Sequence, residues 1–204
     1  MVRTATLVWM LALLFFVSGC SRGPKHPANY PPTGTTVVCF GDSLTYGEGA
    51  RPNESYPEVL AGLLGRRVIN AGISGDTTRE ALNRIERDVL PVNAALVIVE
   101  FGANDHFTGI PVKETLANLE RMVDMIEAKG AMVAIAEVNV GVLHDPYLAG
   151  FREIARQKGA LLIPNIMRGI ITDPSLKSDQ MHPNGKGYAV IARRIFESVK
   201  PSLQ

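Results

Sequence analysis

The chain has 204 residues, with 21 basic and 20 acidic side chains and a net charge of +1. So even a balance gives no broad electrostatic field. With no dense Lys/Arg cluster, it speaks against a nucleic-acid partner. The two cysteines, Cys20 and Cys39, cannot build a disulfide framework. Cys39 lies in an apolar run and reads as a small buried hydrophobe, so no disulfide is expected within the mature domain.

In chain order, Arg3 precedes a nearly unbroken apolar run from Leu7 to Val17. A membrane-spanning helix needs about 20 apolar residues, so this shorter run suits the hydrophobic part of a signal peptide. It ends in Val17-Ser18-Gly19-Cys20, which resembles the lipobox of bacterial lipoprotein signals. The resemblance implies a signal over residues 1–19, cleavage before Cys20 and acylation of its thiol. The alternative is an ordinary secretory signal with an incidental cysteine. Several acyl chains hold a membrane firmly where one holds marginally. The expected location is therefore the bacterial cell envelope, lipid-anchored through Cys20 and facing the periplasm. Ser21, rather than Asp, resembles the signal for the outer membrane where the host has two. Pro24, Pro27, Pro31 and Pro32 lie among polar residues up to Gly34. Residues 20–34 are thus expected to form a lipidated tether, reaching up to roughly 40 Å at about 3.1 Å per residue. Residues 35–204 suffice for one domain.

Within that domain, short apolar runs alternate with helical periods. Val37–Phe40, Val68–Ala71, Leu96–Val99, Met132–Ala136 and Leu161–Ile163 predict five strands, mostly without the alternation of a half-exposed sheet. Between them, Val59, Leu60, Leu63 and Leu64 share a helical face, as do Ala81, Leu82 and Ile85. Thr77 and Glu80 have capping-box spacing. Leu116, Leu119, Val123 and Ile126 mark another helix, stopped by Gly130. Asp145-Pro146 opens the next, with Leu148, Phe151 and Ala155 inward and Gly159 at its end. Asn184 caps the last, which buries Tyr188, Ile191 and Ile195. The alternation predicts an α/β fold, a parallel sheet with helices on both faces.

Ligands of open parallel sheets bind beyond the carboxyl ends of the strands, and polar motifs follow the strands there. Ser43 follows the first, in Gly41-Asp42-Ser43-Leu44, and Gly75 the second, in Ser74-Gly75-Asp76. Asn104 follows the third, in Gly102-Ala103-Asn104-Asp105. Asp179 and His182 lie between the fifth strand and the last helix. A serine hydroxyl needs a base, which neutral imidazole supplies near pH 7, and the imidazole needs a carboxylate to orient it. Negative charge developing on an ester oxygen needs preorganised donors. The backbone N–H groups of Ser43 and Gly75 and the Asn104 amide offer three. Each motif alone is an ordinary turn or cap; four in this order on one edge are much less so.

These residues resemble the SGNH, or GDSL-type, hydrolase superfamily, whose blocks carry Ser, Gly, Asn and His. Here they are Ser43, Gly75, Asn104 and His182, with Asp179 in the place of the family's Asp. The resemblance runs from about Val37 to the C-terminus. The stretch Ile69 to Thr77 is most similar to the bacterial multifunctional thioesterase, lysophospholipase and arylesterase subgroup. It implies a flavodoxin-like three-layer α/β/α sandwich, a Ser43–His182–Asp179 triad and a Ser43/Gly75/Asn104 oxyanion hole. The expected activity is hydrolysis of carboxylic esters or thioesters, including lipid substrates, through an acyl-enzyme. The lipobox departs from this subgroup, whose members are often soluble in the periplasm.

Thr45 breaks the Gly-x-Ser-x-Gly pattern of a nucleophile elbow. No His-Glu-x-x-His or cysteine pair occurs, and the histidines are His26, His106, His144 and His182; no metal or other cofactor is expected. His106 reads as a surface-loop residue, and His144 has no evident partner. The loop His106–Pro111 and apolar residues in 139–143 and 167–176 fit an acyl pocket and fit buried loop packing equally well. Two alternatives stand beside the esterase reading. One is an O-acetyl esterase of cell-envelope carbohydrate; the other is a non-catalytic envelope-binding lipoprotein, against which the intact Ser, Asn, Asp and His argue.

Overall fold

The computed structural model describes residues 26–139 and 145–204. The expected signal, Cys20, the first part of the tether, and Val140 to His144 lie outside the described residues. Five strands form one parallel sheet: β1 (Thr36–Gly41), β2 (Val68–Gly72), β3 (Ala94–Glu100), β4 (Met132–Ala136) and β5 (Leu161–Ile163), in the order β2-β1-β3-β4-β5. The flavodoxin-like order expected from the resemblance is therefore the one observed, with its switch point between β1 and β3.

Strand pleating divides the core into two layers. Val37, Cys39, Leu96, Ile98, Met132 and Ala134 face one side, where they meet Tyr56 and Leu60 of α2 (Tyr56–Leu64) and Tyr188, Ile191 and Ile195 of α7 (Gly185–Leu203). Val38, Phe40, Val97, Val99, Val133 and Ile135 face the other. There they meet Ala81 and Ile85 of α3 (Thr78–Asp88), Leu119, Val123 and Ile126 of α5 (Val112–Glu127), and Phe151 and Ala155 of α6 (Asp145–Lys158). Both faces of β1, β3 and β4 are covered, which explains their continuous apolar runs. β2 is an edge strand and is half-buried throughout.

Local expectations hold where a cap or stripe is explicit. Thr77 and Glu80 form the capping box of α3, and Asn184 accepts from the N–H groups of Lys186 and Gly187 at the start of α7. Two expectations fail. Leu63 is exposed, because the buried stripe of α2 runs through Tyr56 and Leu60, leaving Leu63 at its margin. The proline-rich segment is not an extended tether over its described part. The Ala28 N–H donates to Gly159 O at 2.9 Å, Asn29 Nδ2 donates to Glu127 O at 2.9 Å and Ala131 O at 3.0 Å, and Tyr30 packs on the core. Proline blocks regular pairing but does not prevent docking through the residues between prolines.

Candidate active site

The carboxyl ends of β1 and β3 open the switch-point crevice, and the two strands pair with Gly41 opposite Glu100. A short helix, α1 (Ser43–Tyr46), begins directly after β1. Asp42 caps it, accepting from the Leu44 N–H at 3.0 Å, so Ser43 stands at the first turn. The turn lies close against β3: a Cβ at Gly41 would meet Thr45 Oγ1 and Glu100 Oε2. Glycine is needed there for close approach.

From the far end of the chain, the loop before α7 returns to this point. His182 Nε2 lies 3.2 Å from Ser43 Oγ, and His182 Nδ1 lies 2.8 Å from Asp179 Oδ2. Asp179 Oδ1 accepts the backbone N–H groups of Met181 and His182, each at 2.7 Å. The Asp-x-x-His spacing thus folds as a tight turn around its own carboxylate. Those hydrogen bonds, the His182 N–H foremost, hold Asp179 down at about 2. The carboxylate therefore stays ionised wherever the imidazole can act as a base.

Asn104 lines the same cleft as Ser43 and His182, and Gly75 lies outside that lining, in the turn whose Asp76 carbonyl accepts from Asn104. Gly75 has φ of 86° and open space where a side chain would stand, a conformation that favours glycine. Among the described residues, no acceptor is recorded for the backbone N–H of Ser43 or of Gly75. Asn104 lies in α4 (Ala103–Thr108), and its Nδ2 donates to Asp42 Oδ2 at 3.2 Å and to Asp76 O at 2.9 Å. Asp42, Ser43, Leu44, Ala103, Asn104, Val138, Met181 and His182 line one small cleft. A groove of about 570 Å³ between β5 and α7, lined by Ile163, Arg168, Val190 and Arg194 among others, shares none of these residues. Chemistry rather than volume marks the site.

Other expectations are corrected. His106 belongs to α4 rather than to a loop, half-buried with its ring edge-on to Tyr147 at 6.1 Å. Met167 and Ile170 are buried in the core layer of α2 and α7, so that stretch is packing, not an acyl pocket. The sequence reading also missed three buried side chains behind the crevice. Arg84 donates to Asp76 Oδ2 at 2.5 Å, to Ala71 O at 2.9 Å and to Gly41 O at 3.0 Å, clamping the ends of β1 and β2 to the Gly75–Asp76 turn. Asp105 accepts from the Thr78 N–H at 2.9 Å and from Thr115 Oγ1 at 3.0 Å, tying α4 to α3 and α5. Glu100 lies under the Ser43 turn. A charge in an otherwise apolar strand was the signal for Glu100, as was an arginine on the inward stripe of α3 for Arg84.

Comparison with known proteins agrees with this geometry. The GDSL-like Lipase/Acylhydrolase family matches residues 39–190. An arylesterase of Vibrio mimicus is 28% identical over 214 residues, spanning 100% of both chains. The esterase TesA of Pseudomonas aeruginosa is 28% identical over 181 residues, 83% of this chain and 88% of that one. The psychrotrophic esterase EstA of Pseudoalteromonas, solved inhibited by monoethylphosphonate, superposes with a TM-score of 0.75 at 28% identity. That match covers 83% of this chain and 98% of EstA. The chain belongs to the GDSL-like lipase/acylhydrolase family and is a carboxylic ester hydrolase of the serine type.

Proposed function

We propose that Ser43, His182 and Asp179 form the catalytic triad and that the substrates are acyl or aryl esters and thioesters. The observation that carries the reading is the continuous line from Ser43 Oγ through the imidazole to Asp179, at 3.2 and 2.8 Å. Neutral His182 takes the Ser43 proton at Nε2 as Oγ attacks the carbonyl carbon. The resulting imidazolium, stabilised by Asp179, returns that proton to the leaving group as the acyl-enzyme forms. Water then repeats the sequence, and the acid leaves. The oxyanion takes donors from the Ser43 and Gly75 N–H groups and from Asn104 Nδ2. Both Asn104 hydrogens are engaged in the free protein, and the longer bond, to Asp42, is the one that yields to the oxyanion.

Exposed apolar side chains next to the site motifs in sequence, with Met181 lining the cleft itself, support acyl or aryl groups over acetylated carbohydrate. Four of the five large apolar side chains exposed among the described residues, Tyr46, Ile73, Phe107 and Met181, adjoin the Ser43, Gly75, Asn104 and His182 motifs. The Cys20 anchor belongs to the same proposal and rests on the lipobox alone. Two substitutions in the full chain test these points. Ser43→Ala should lower kcat on p-nitrophenyl esters by on the order of 10⁴-fold or more and abolish fluorophosphonate labelling; a labelled mutant would remove Ser43 as nucleophile. Cys20→Ser should abolish incorporation of labelled fatty acid and release the protein from the membrane fraction, and unchanged incorporation would refute the anchor.

A further inference from the structure

Glu100 is fully buried at the end of β3. Its Oε2 accepts from Thr45 Oγ1 at 2.9 Å, and Thr45 Oγ1 lies 2.8 Å from the Tyr56 hydroxyl. With Tyr56 donating to Thr45 and Thr45 donating to Glu100, Oε2 is committed as an acceptor. Oε1 has no donor and no access to solvent. The Glu100 carboxyl lies within hydrogen-bonding range of both the side chain and the backbone N–H of Asp42, and the Asp42 side chain is itself buried. Two acceptors in contact, away from water, repel unless a proton lies between them. Neither carboxyl has a Lys or Arg partner among the described residues. The other titratable groups nearby are Cys39, Tyr56 and Tyr188, with Asp105 and His182 on the Asp42 side.

We propose that Glu100 is a positioning residue, neutral in the working enzyme, whose Oε1–H donates to the Asp42 carboxylate and so fixes the acceptor that aims Asn104 and caps the turn of Ser43. The assignment follows from connectivity. The Asp42 side chain bridges the Ser43 turn and Asn104, through the Leu44 N–H at 3.0 Å and Asn104 Nδ2 at 3.2 Å. To serve both it must remain an acceptor. A proton on Asp42 would weaken one of its oxygens in that role and move the buried charge to Glu100. Burial and the neighbouring Asp42 charge raise Glu100 well above the ordinary carboxylate range, consistent with the proton residing there. The Asn104 amide is thereby held beside the oxyanion position by a bond long enough to exchange. The inference rests on Ser43 and Asn104 acting as proposed above.

Glu100→Gln and Glu100→Leu in the full chain test it. A glutamine places an N–H where Oε1–H stood and keeps a carbonyl for Thr45, so kcat should stay within about threefold of the parent. Leucine supplies no donor; kcat should fall on the order of 10²-fold, the scale of a lost oxyanion contact, with KM little changed. Infrared difference spectra at neutral pH, parent minus Glu100→Gln, should contain the C=O band of a protonated carboxylic acid. That measurement stands even if the leucine variant does not fold. Loss of ionised carboxylate bands instead, or a glutamine variant with kcat reduced 10²-fold, would overturn the proposal. Fluorophosphonate labelling of the parent at Ser43 separates this from failure of the triad itself: without labelling there, the triad is at fault.

Discussion

Asp179 is half-exposed, with 53% of its side chain accessible. Water screens its attraction to His182, so orientation rests on geometry: the carboxylate is pinned by two N–H groups of its own turn, and the turn also carries the imidazole. Its native pKa of about 2 lies below the unfolded value of about 3.9. A depressed native pKa contributes stability that is fully present above the unfolded value and is lost as pH falls toward the native one. Asp179→Asn should therefore flatten the stability–pH curve between about pH 4 and pH 2, read from urea midpoints, while leaving the curve near pH 7 parallel to the parent. It should also lower kcat by roughly 10²- to 10⁴-fold, because an amide at Oδ2 favours the wrong imidazole tautomer. An unaltered acid limb of stability would mean that the turn holds His182 without the charge.

At the scale of elements, the crevice is assembled from loops that do not touch in sequence, and α3 supplies the part that joins them. The side chains of Arg84 and Asp76 are only 7% and 10% exposed, and the guanidinium also lies 4.5 Å from the centre of the Phe40 ring. Removing one member of a buried pair leaves an uncompensated charge, at a cost of about 3–5 kcal/mol. Arg84→Met should lower the unfolding free energy by that amount. In whatever remains folded it should reduce kcat, since the Asp76 carbonyl that accepts from Asn104 is no longer held. Arg79→Ala, at an exposed pair with Glu114, should leave the midpoint nearly unchanged; equal effects would contradict the clamp. These two arginines also mark how far the sequence carried. The meeting of Ser43 with His182 and Asp179 was legible because Gly-Asp-Ser follows the first strand and Asp-x-x-His lies in the loop before the last helix, and the parallel order of the sheet opens both on its carboxyl edge. Arg84 and Glu100 were not. An apolar strand and an inward stripe mark them as buried charges, but their roles depend on which backbone carbonyls and carboxyls surround them after folding. The five strands were legible to within a residue or two, since both faces of the central ones are buried. Leu63 was not, because helical periodicity gives a face but not the width of its buried stripe.

For the whole molecule, the docked segment 27–35 changes how the domain would stand on a membrane. Its hydrogen bonds to the rest of the domain are with Gly159, Ala131 and Glu127; the first two lie just before β5 and β4. That is the amino edge of the sheet, opposite the carboxyl edge that carries Ser43 and His182. An anchored Cys20 would lie no more than about 25 Å along the chain from Pro27, shorter than an extended segment to Gly34 would allow. The cleft would then face away from the anchoring bilayer, toward esters arriving from the surrounding space. If the segment is part of the domain, its removal must cost stability. The two hydrogen bonds of Asn29 and the partly buried Tyr30 amount to about 2 kcal/mol, or a fall in Tm of roughly 4–8 °C for a domain of this size. A chain shortened to begin at Thr36 should show that fall relative to one beginning at Pro24, with KM and kcat on soluble esters unchanged, since among the described residues the segment's hydrogen bonds lie on the opposite edge of the sheet. Identical melting of the two would return residues 27–35 to the role of a free tether and place the cleft farther from the bilayer.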